Sequence, residues 1–186
     1  MSDLLQALQQ RNSAPRLEEP GPSEAQLHEI ITAAMRVPDH ARMRPWRFIA
    51  ISGERRQALG ELYEQALLKR NPQADEAERH KALKAPLRAP LVIVVIARLT
   101  EHPKVPLLEQ RLSAACAAHA ILLASDALGY AGVWRTGDFA VDEKILDGLG
   151  LDHNSEEITG FIYLGTRSGQ ARMLPGLQVD DFLSHW

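Results

Sequence analysis

The segment Leu91-Val-Ile-Val-Val-Ile-Ala97 determines the architecture that the rest of the chain adopts. It is a continuous apolar run, rich in β-branched side chains, and it is bounded by Pro90 and Arg98. A short run of this kind, with no polar residue alternating through it, predicts a strand that is buried on both faces. Such a strand needs a covering layer on each side of its sheet. We therefore expect an α+β fold in which helices cover a central sheet.

The rest of the chain supplies those helices and the neighbouring strands. Ser23-Glu-Ala-Gln26 predicts a capping box at the start of an amphipathic helix. Further helices are predicted over residues 3–10, 53–70, 75–84, 106–128 and 142–149, and strands over residues 48–51, 131–136 and 158–164. Gly129 is expected to close the long helix as its C-cap glycine. Residues 16–22 are predicted to be a connector, Gly165 and Thr166 a turn, and residues 168–186 an irregular tail.

Length and composition narrow the class of protein. The 186 residues suit a single domain covering residues 1–186, and 45% hydrophobic with 24% charged residues is ordinary for a globular protein. A formal net charge of −3 gives no reason to expect nucleic acid or an anionic membrane as a partner. Cys116 is the only cysteine, which suits a reducing compartment, and the N-terminus lacks the pattern of a signal peptide. We therefore predict a cytoplasmic protein.

Several common catalytic motifs are absent from the sequence. Neither G-x-G-x-x-G nor G-x-x-x-x-G-K-[ST] is present, which argues against a Rossmann or P-loop nucleotide site. There is no H-E-x-x-H and no pair of cysteines, so we expect no metal site. The long apolar helix holds Cys116 and His119, and both are predicted to lie in the core. The remaining candidates for chemistry are three arginine-containing loops at element boundaries.

The first loop is Arg11-Asn12-Ser13, at the end of the opening helix. An arginine offers a fork of donors that matches phosphate oxygens, and a serine hydroxyl adds another donor. A solvated helix end is the alternative, and it is the usual fate of a lone arginine.

The second loop covers residues 36–47, and it holds four arginines, a histidine and a tryptophan. Positive charge from Arg36 or His40 would suit the reduced ring of a flavin. The third is Trp134-Arg135-Thr136, followed by Gly137 at a strand end, where a planar polar ligand could bind. A solvated loop and a plain strand-end turn are the respective alternatives.

Taken together and in this order, these segments resemble the nitroreductase family, most closely its small YdjA-like branch. The resemblance covers nearly the whole chain. It runs from Leu4-Leu5-x-x-Leu8 and Arg11-x-Ser13 through Pro38-Asp39-His40 and Pro45-Trp46 to Trp134-Arg135-x-Gly137 and Gly160-Phe161-x-Tyr163-Leu164-Gly165-Thr166. It implies a nitroreductase-like α/β/α sandwich with a central, mainly antiparallel mixed sheet. It also implies an intertwined homodimer with two FMN sites at the subunit interface.

The resemblance assigns roles to particular residues. FMN contacts are implied at the three loops, with Arg36 or His40 or both reaching across the interface: Arg11, Asn12, Ser13, Arg36, His40, Trp134, Arg135 and Thr136. Contacts to NAD(P)H are implied at the end of the long helix: Ala124, Ala127 and Gly129. No side chain is implied as a catalytic acid or base, because the flavin performs the redox chemistry.

The function implied is that of an FMN-dependent NAD(P)H oxidoreductase, which reduces nitroaromatics, quinones or similar small acceptors by a ping-pong hydride mechanism. Two alternatives stay open: a flavin enzyme of other chemistry on the same fold, such as a dehalogenase or dehydrogenase, and a non-enzymatic protein that binds an anion or partner. Arg42 and Arg44 stand where many family members have Asn and Gln. The resulting excess of positive charge leads to the hypothesis that NADPH is preferred to NADH.

Overall fold

The structure is a computed structural model that describes residues 3–171 and 173–186. Eleven helices and strands carry the fold within these ranges: α1 (Asp3–Gln10), β1 (Leu17–Glu18), α2 (Glu24–Ala34), β2 (Trp46–Ser52), α3 (Arg55–Arg70), α4 (Glu76–Lys84), β3 (Leu91–Arg98), α5 (Leu107–Ala127), β4 (Ala131–Arg135), α6 (Glu143–Gly148) and β5 (Glu156–Arg167). Short 3-10 turns connect some of them, including His40–Arg42, Pro86–Arg88 and Asp138–Ala140.

The decisive apolar run forms the middle strand β3, as predicted. It pairs with β2 on one edge and with β5 on the other, and β4 pairs with the opposite edge of β5. All pairings among the described strands are antiparallel. Every residue of β3 from Leu91 to Ala97 is buried. The expected doubly buried strand is therefore confirmed.

Alternate side chains of β3 enter two separate cores. Val92, Val94 and Ile96 pack on one face with residues of α3, α4 and α6. Ile93 and Val95 pack on the other face with residues of α2 and α5. Helices thus cover both faces of the sheet, which confirms the α/β/α sandwich.

The last strand is longer than the sequence suggests. β5 continues through Gly165 and Thr166 to Arg167, so the prediction of a turn at Gly165 and Thr166 was wrong. The connector also contains a strand, because Leu17 pairs opposite Arg167 and Glu18 opposite Thr166. Two residues of β1 give no periodic signal of their own, and only the partner strand, distant in sequence, defines them.

The long helix α5 is buried on one face only. Ala114, Ala117 and Ile121 are fully enclosed, whereas Cys116 and His119 are exposed on the surface of the chain. The prediction that these two residues lie in the core was therefore wrong for the single chain. An apolar sequence does not distinguish a core face from a face that is left for another surface. No helix in the described ranges is both long and apolar enough to cross a membrane.

Candidate cofactor site

The first predicted loop is fixed against strand β4. α1 ends at Gln10, and the amide of Ala14, a buried residue, donates a 2.9 Å hydrogen bond to the carbonyl of Gly132 in β4. The Asn12 amide nitrogen donates to the Gln10 carbonyl at 3.1 Å. The other side-chain atom of Asn12, Oδ1, is buried and has no hydrogen-bond partner among the described residues. An unsatisfied buried acceptor costs about 1–3 kcal/mol, so this atom indicates a missing donor.

Two further arginines, Arg16 and Arg167, lie beside this loop. Arg16 and Arg167 line a recess of about 240 Å³, where the Ser168 amide donates to the Arg16 carbonyl at 3.1 Å. The side chains of Arg11, Arg16 and Arg167 form no ion pair or hydrogen bond within the described part of the chain. Arg16 and Arg167, the two arginines that line the recess, are suited to a phosphate dianion, and Arg11 precedes the lining residue Ala14 by three positions. Arg167 was missed because β1 brings it next to residues that are 150 positions away.

The third predicted loop opens into a cavity. Arg135 ends β4, Thr136 follows it, and both line a space of about 370 Å³ between β5, α3 and α4. Its walls combine four aromatic rings (Tyr63, Phe139, Phe161, Tyr163), four cations (Arg70, Lys81, Arg88, Arg135) and two carboxylates (Glu78, Asp138). This volume is in the range of small-molecule sites, which run from about 300 to 1,000 Å³.

The aromatic walls of the cavity are ordered by stacking. Tyr63 stacks on Phe139 with ring centroids 4.1 Å apart, and it meets Phe161 edge-on at 5.6 Å. Burial raises the pKa of Tyr63 far above its usual value, and burial likewise raises the pKa of Tyr163. Both phenols therefore stay neutral and able to donate hydrogen bonds. Flat walls with such donors suit a planar ligand that carries acceptor atoms.

The charges around the cavity leave an excess of positive charge. Arg70 is neutralised by Asp138 at 2.6 Å and by Asp142 at 3.1 Å. Lys81 and Arg88 have no side-chain hydrogen bond or ion pair among the described residues. The Arg135 guanidinium carbon lies 5.6 Å from the centroid of the Tyr163 ring. The Nε atom of Arg135 is buried and has no acceptor within residues 3–171 and 173–186. An acceptor-rich ligand would satisfy this nitrogen.

Trp134 occupies the opposite face of β4 from Arg135. Its indole nitrogen donates to the Thr159 carbonyl at 3.3 Å, and its ring packs in the core beneath α5. The ring covers Gly160 so closely that a Cβ there would lie 2.0 Å from the indole nitrogen. Trp134 therefore supports the strand that carries Arg135.

The predicted NAD(P)H contacts lie at the end of α5, near the first loop. Gly129 follows the helix with a φ of +83° and donates to the Asp126 carbonyl, which confirms its capping role. Ala127 and Gly129 are exposed, and Ala124 is half-buried. Since Gly132 is only three residues further on, this helix end adjoins the segment from Arg11 to Ser13.

Arg36 and His40 lie elsewhere in the chain. Their loop ends where the Arg98 amide donates to the Pro45 carbonyl, at the far end of β3. The first loop is level with Leu91, because Gly132 and Leu91 both pair opposite Leu164. Seven residues of strand separate the two levels by roughly 23 Å, and the three strand spacings from β4 to β2 add about 14 Å sideways. One chain therefore does not bring all predicted contacts together.

The loop at Arg36 and His40 is tightly held. Asp39 Oδ2 accepts from the Arg44 amide at 2.8 Å, and His40 Nδ1 lies 2.6 Å from Glu109 Oε2 at the start of α5. Three residues without the freedom of glycine have positive φ: Ala41 (56°), Arg42 (56°) and Arg44 (50°). Such conformations persist only where the surrounding structure imposes them, and they are frequent at ligand sites.

Arg47 does not belong to the group of free arginines in this loop. Its Nε and Nη2 donate to the two carboxylate oxygens of buried Glu156 at 2.8 and 2.7 Å. This bidentate contact with Arg47 lowers the pKa of Glu156 below its usual value. In the described ranges no three His, Cys, Asp or Glu side chains are grouped to hold a metal ion.

Comparison with known proteins agrees with this fold. A sequence profile of the Nitroreductase family matches residues 8–166. The Escherichia coli (strain K12) protein named "Putative NAD(P)H nitroreductase YdjA" is 42% identical over 164 residues, which are 88% of each chain. The crystal structure of a nitroreductase-like family protein from Bacillus cereus covers all of this chain and 96% of its own, with a TM-score of 0.83 at 19% identity. A nitroreductase with bound FMN from Bacteroides fragilis NCTC 9343 covers 100% and 99%, with a TM-score of 0.76 at 20% identity.

The fold is an α/β/α sandwich, and an arginine-lined recess lies beside its edge strand β4. The profile match and the identity to the E. coli relative identify the family, and the chain belongs to the nitroreductase family.

Proposed function

We propose that the protein is an FMN-dependent NAD(P)H oxidoreductase. One observation carries the proposal: strand β4 connects the uncompensated arginines near Arg11 to the cavity at Arg135. The arginines suit the phosphate of FMN, and the cavity suits its planar ring. The E. coli relative is named as an NAD(P)H nitroreductase and the B. fragilis structure contains FMN, which support the same cofactors here.

The unsatisfied buried atoms fit this cofactor. Asn12 Oδ1 lacks a donor, and the ribityl chain of FMN carries hydroxyl groups that can donate. Arg135 Nε lacks an acceptor, and the carbonyl oxygens of the ring are acceptors. Arg11, Asn12 and Ser13 would hold the phosphate and ribityl end, with Arg16 and Arg167 beside them. Arg135 and Thr136 would flank the ring, and Trp134 would support their strand from its opposite face.

The side chains bind and polarise, whereas bound FMN would supply the hydride chemistry. Arg88 and Arg135 place positive charge at the cavity, where it favours the more negatively charged, reduced form of the cofactor. The end of α5, at Ala124, Ala127 and Gly129, offers an exposed surface for NAD(P)H. Small nitroaromatics and quinones are the proposed acceptors.

A second copy of the chain would complete the site. Arg36 and His40 lie too far from the first loop to reach the same FMN from one chain, so their predicted contacts require a homodimer. α5 presents exposed apolar side chains, with Leu108 63% and Leu112 55% accessible. Exposed leucines in a row on one helix face are typical of protein interfaces. We therefore place FMN between two copies, with Arg36 and His40 supplied across the interface.

The test is a titration of the full-length protein with FMN, followed by flavin absorbance and fluorescence. We expect wild type to bind FMN, and Arg11→Ala to bind it about 10- to 100-fold more weakly, because a charged hydrogen bond is worth about 1.5–3 kcal/mol. Arg55→Ala is the matched control, since Arg55 is an exposed arginine at the start of α3, away from β4. A wild type that binds no FMN would overturn the proposal and favour an anion-binding protein without redox activity.

A further inference from the structure

Glu109 and His40 form a contact that no part of the proposed flavin role explains by itself. The distance between His40 Nδ1 and Glu109 Oε2 is 2.6 Å, although both side chains are about half exposed. The two residues are 69 positions apart and belong to different elements. An ionised carboxylate only accepts hydrogen bonds, so Nδ1 must carry the proton in this contact.

Glu109 lies on a part of α5 that buried hydrogen bonds hold in place. It lies in the first turn of α5, where the helix dipole favours a negative charge. Its neighbour Gln110 is 1% exposed, and its side chain accepts from the Thr100 amide at 2.9 Å and donates to the Thr100 carbonyl at 2.8 Å. These bonds attach the start of α5 to the end of β3. The position of the Glu109 carboxylate is therefore set by buried structure.

His40 projects from a loop that is equally constrained. The bond from the Arg44 amide to Asp39 closes the loop, and Pro45, next in the chain, is buried. The positive φ values of Ala41, Arg42 and Arg44 are maintained at a cost that loose loops do not bear. Loop and helix thus hold the imidazole from two sides, an arrangement typical of preorganised ligand contacts.

We propose that Glu109 is a positioning residue that holds His40 as its Nδ1-protonated form with Nε2 directed at the cofactor, an inference that rests on the flavin role proposed for His40. With Nδ1 engaged, Nε2 is the one ring nitrogen that remains for a ligand. In neutral histidine Nε2 is an acceptor, and a hydroxyl or N–H group of the cofactor is its chemical complement. Metal-binding histidines are oriented by carboxylates in the same manner.

The decisive measurement is the ¹⁵N spectrum of the His40 side chain in the full-length protein before FMN is added. At a pH of about 8, where an ordinary histidine is neutral, we expect the proton on Nδ1 in wild type. Glu109→Gln keeps an acceptor and should retain this form, whereas Glu109→Ala should move much of the proton to Nε2. Glu101→Ala is the matched control, because Glu101 is an exposed carboxylate just before α5, and it should change nothing.

FMN titration of the same variants supplies the second readout. We expect Glu109→Ala to weaken FMN binding about tenfold and Glu109→Gln less than about threefold. The double variant His40→Ala with Glu109→Ala should bind FMN as weakly as His40→Ala alone. Glu109 acts only through His40, so its loss adds nothing once His40 is removed. A wild-type His40 protonated on Nε2, or additive losses in the double variant, would overturn the inference. Failure of wild type to bind FMN would instead overturn the proposed function, so the two failures are distinguishable.

Discussion

The buried carboxylate of Glu156 is stabilised by hydrogen bonds and by nearby arginines. The carboxylate accepts two hydrogen bonds from Arg47 and one from the Asp152 amide at 3.2 Å, and Arg98 lies 3.7 Å away. Arg47→Met removes the main partner and should destabilise the protein by about 1–3 kcal/mol at pH 7. Urea denaturation would measure this, with exposed Arg55→Met as control.

The contribution of the Glu156 and Arg47 pair to the free energy of unfolding should depend on pH in a definite direction. The pKa of Glu156 is lowered in the folded state, so its contribution to stability is complete above the unfolded value of about 4.3 and is lost as the pH falls through the folded-state pKa. The difference between wild type and Arg47→Met should therefore shrink as the pH falls below about 4. A difference that is independent of pH would contradict this account of the pair.

Arg44 is the residue that we expect to influence the preference between NADPH and NADH. Its side chain is exposed and has no ion pair among the described residues, so it is free to bind the extra phosphate of NADPH. We predict that Arg44→Gln lowers the ratio of kcat/KM for NADPH to kcat/KM for NADH by about tenfold, the value of one charge-assisted hydrogen bond. Steady-state kinetics with both reductants would measure it, beside Arg55→Gln. An unchanged ratio would refute the hypothesis.

Some of the candidate site was predictable from single residues, and some was not. Arg11 and Arg135 stand out in the sequence because arginines at element ends suit anions. Ser13 stands out because its hydroxyl adds a hydrogen-bond donor beside Arg11. Arg16, Arg167 and Arg88 do not stand out, since their importance arises from pairing and packing between distant segments. The exposure of Cys116 and His119 was mispredicted for the same reason: an apolar helix does not reveal which face the chain itself covers.

At the scale of elements, β4 and β5 depend on a glycine for their close contact. A Cβ on Gly160 would lie 2.0 Å from the Trp134 indole nitrogen and 2.6 Å from its Cδ1. Gly160→Ala should displace the indole and destabilise the protein by about 1–3 kcal/mol. Gly176→Ala is the control, because no described residue other than its two chain neighbours lies within 4 Å of the position of a Cβ on Gly176. Urea denaturation with tryptophan emission would detect both effects, and equal stabilities would contradict this packing.

Elements with a local physical signal were predicted well. The capping box at Ser23 and Gln26 is formed as expected, and the apolar run became the doubly buried strand β3. The end of β5 and the whole of β1 were not predicted, because they form only by pairing with each other. Sequence patterns therefore do not predict structure that forms only by pairing between distant segments. The position of Arg167 beside the first loop is one such case.

At the scale of the whole molecule, the two groups of predicted cofactor contacts lie at opposite ends of the sheet. Arg11 and Ser13 adjoin the end of β4 that is level with Leu91, and Arg36 and His40 adjoin the far end of β3. The proposed symmetric dimer would resolve this separation, because a two-fold axis can bring one end of each chain to the other end of its partner. We propose that each FMN site is shared between two chains.

Refolding two variants together distinguishes an FMN site shared between two chains from a site within one chain. Arg11→Ala and His40→Ala each weaken every site of their own homodimers, but a mixed dimer has one site with neither change and one site with both. After unfolding and refolding the variants together, we predict that about one quarter of the sites bind FMN with wild-type affinity. A mixture in which no site recovers, while refolded wild type binds normally, would contradict the shared site and place each FMN within a single chain.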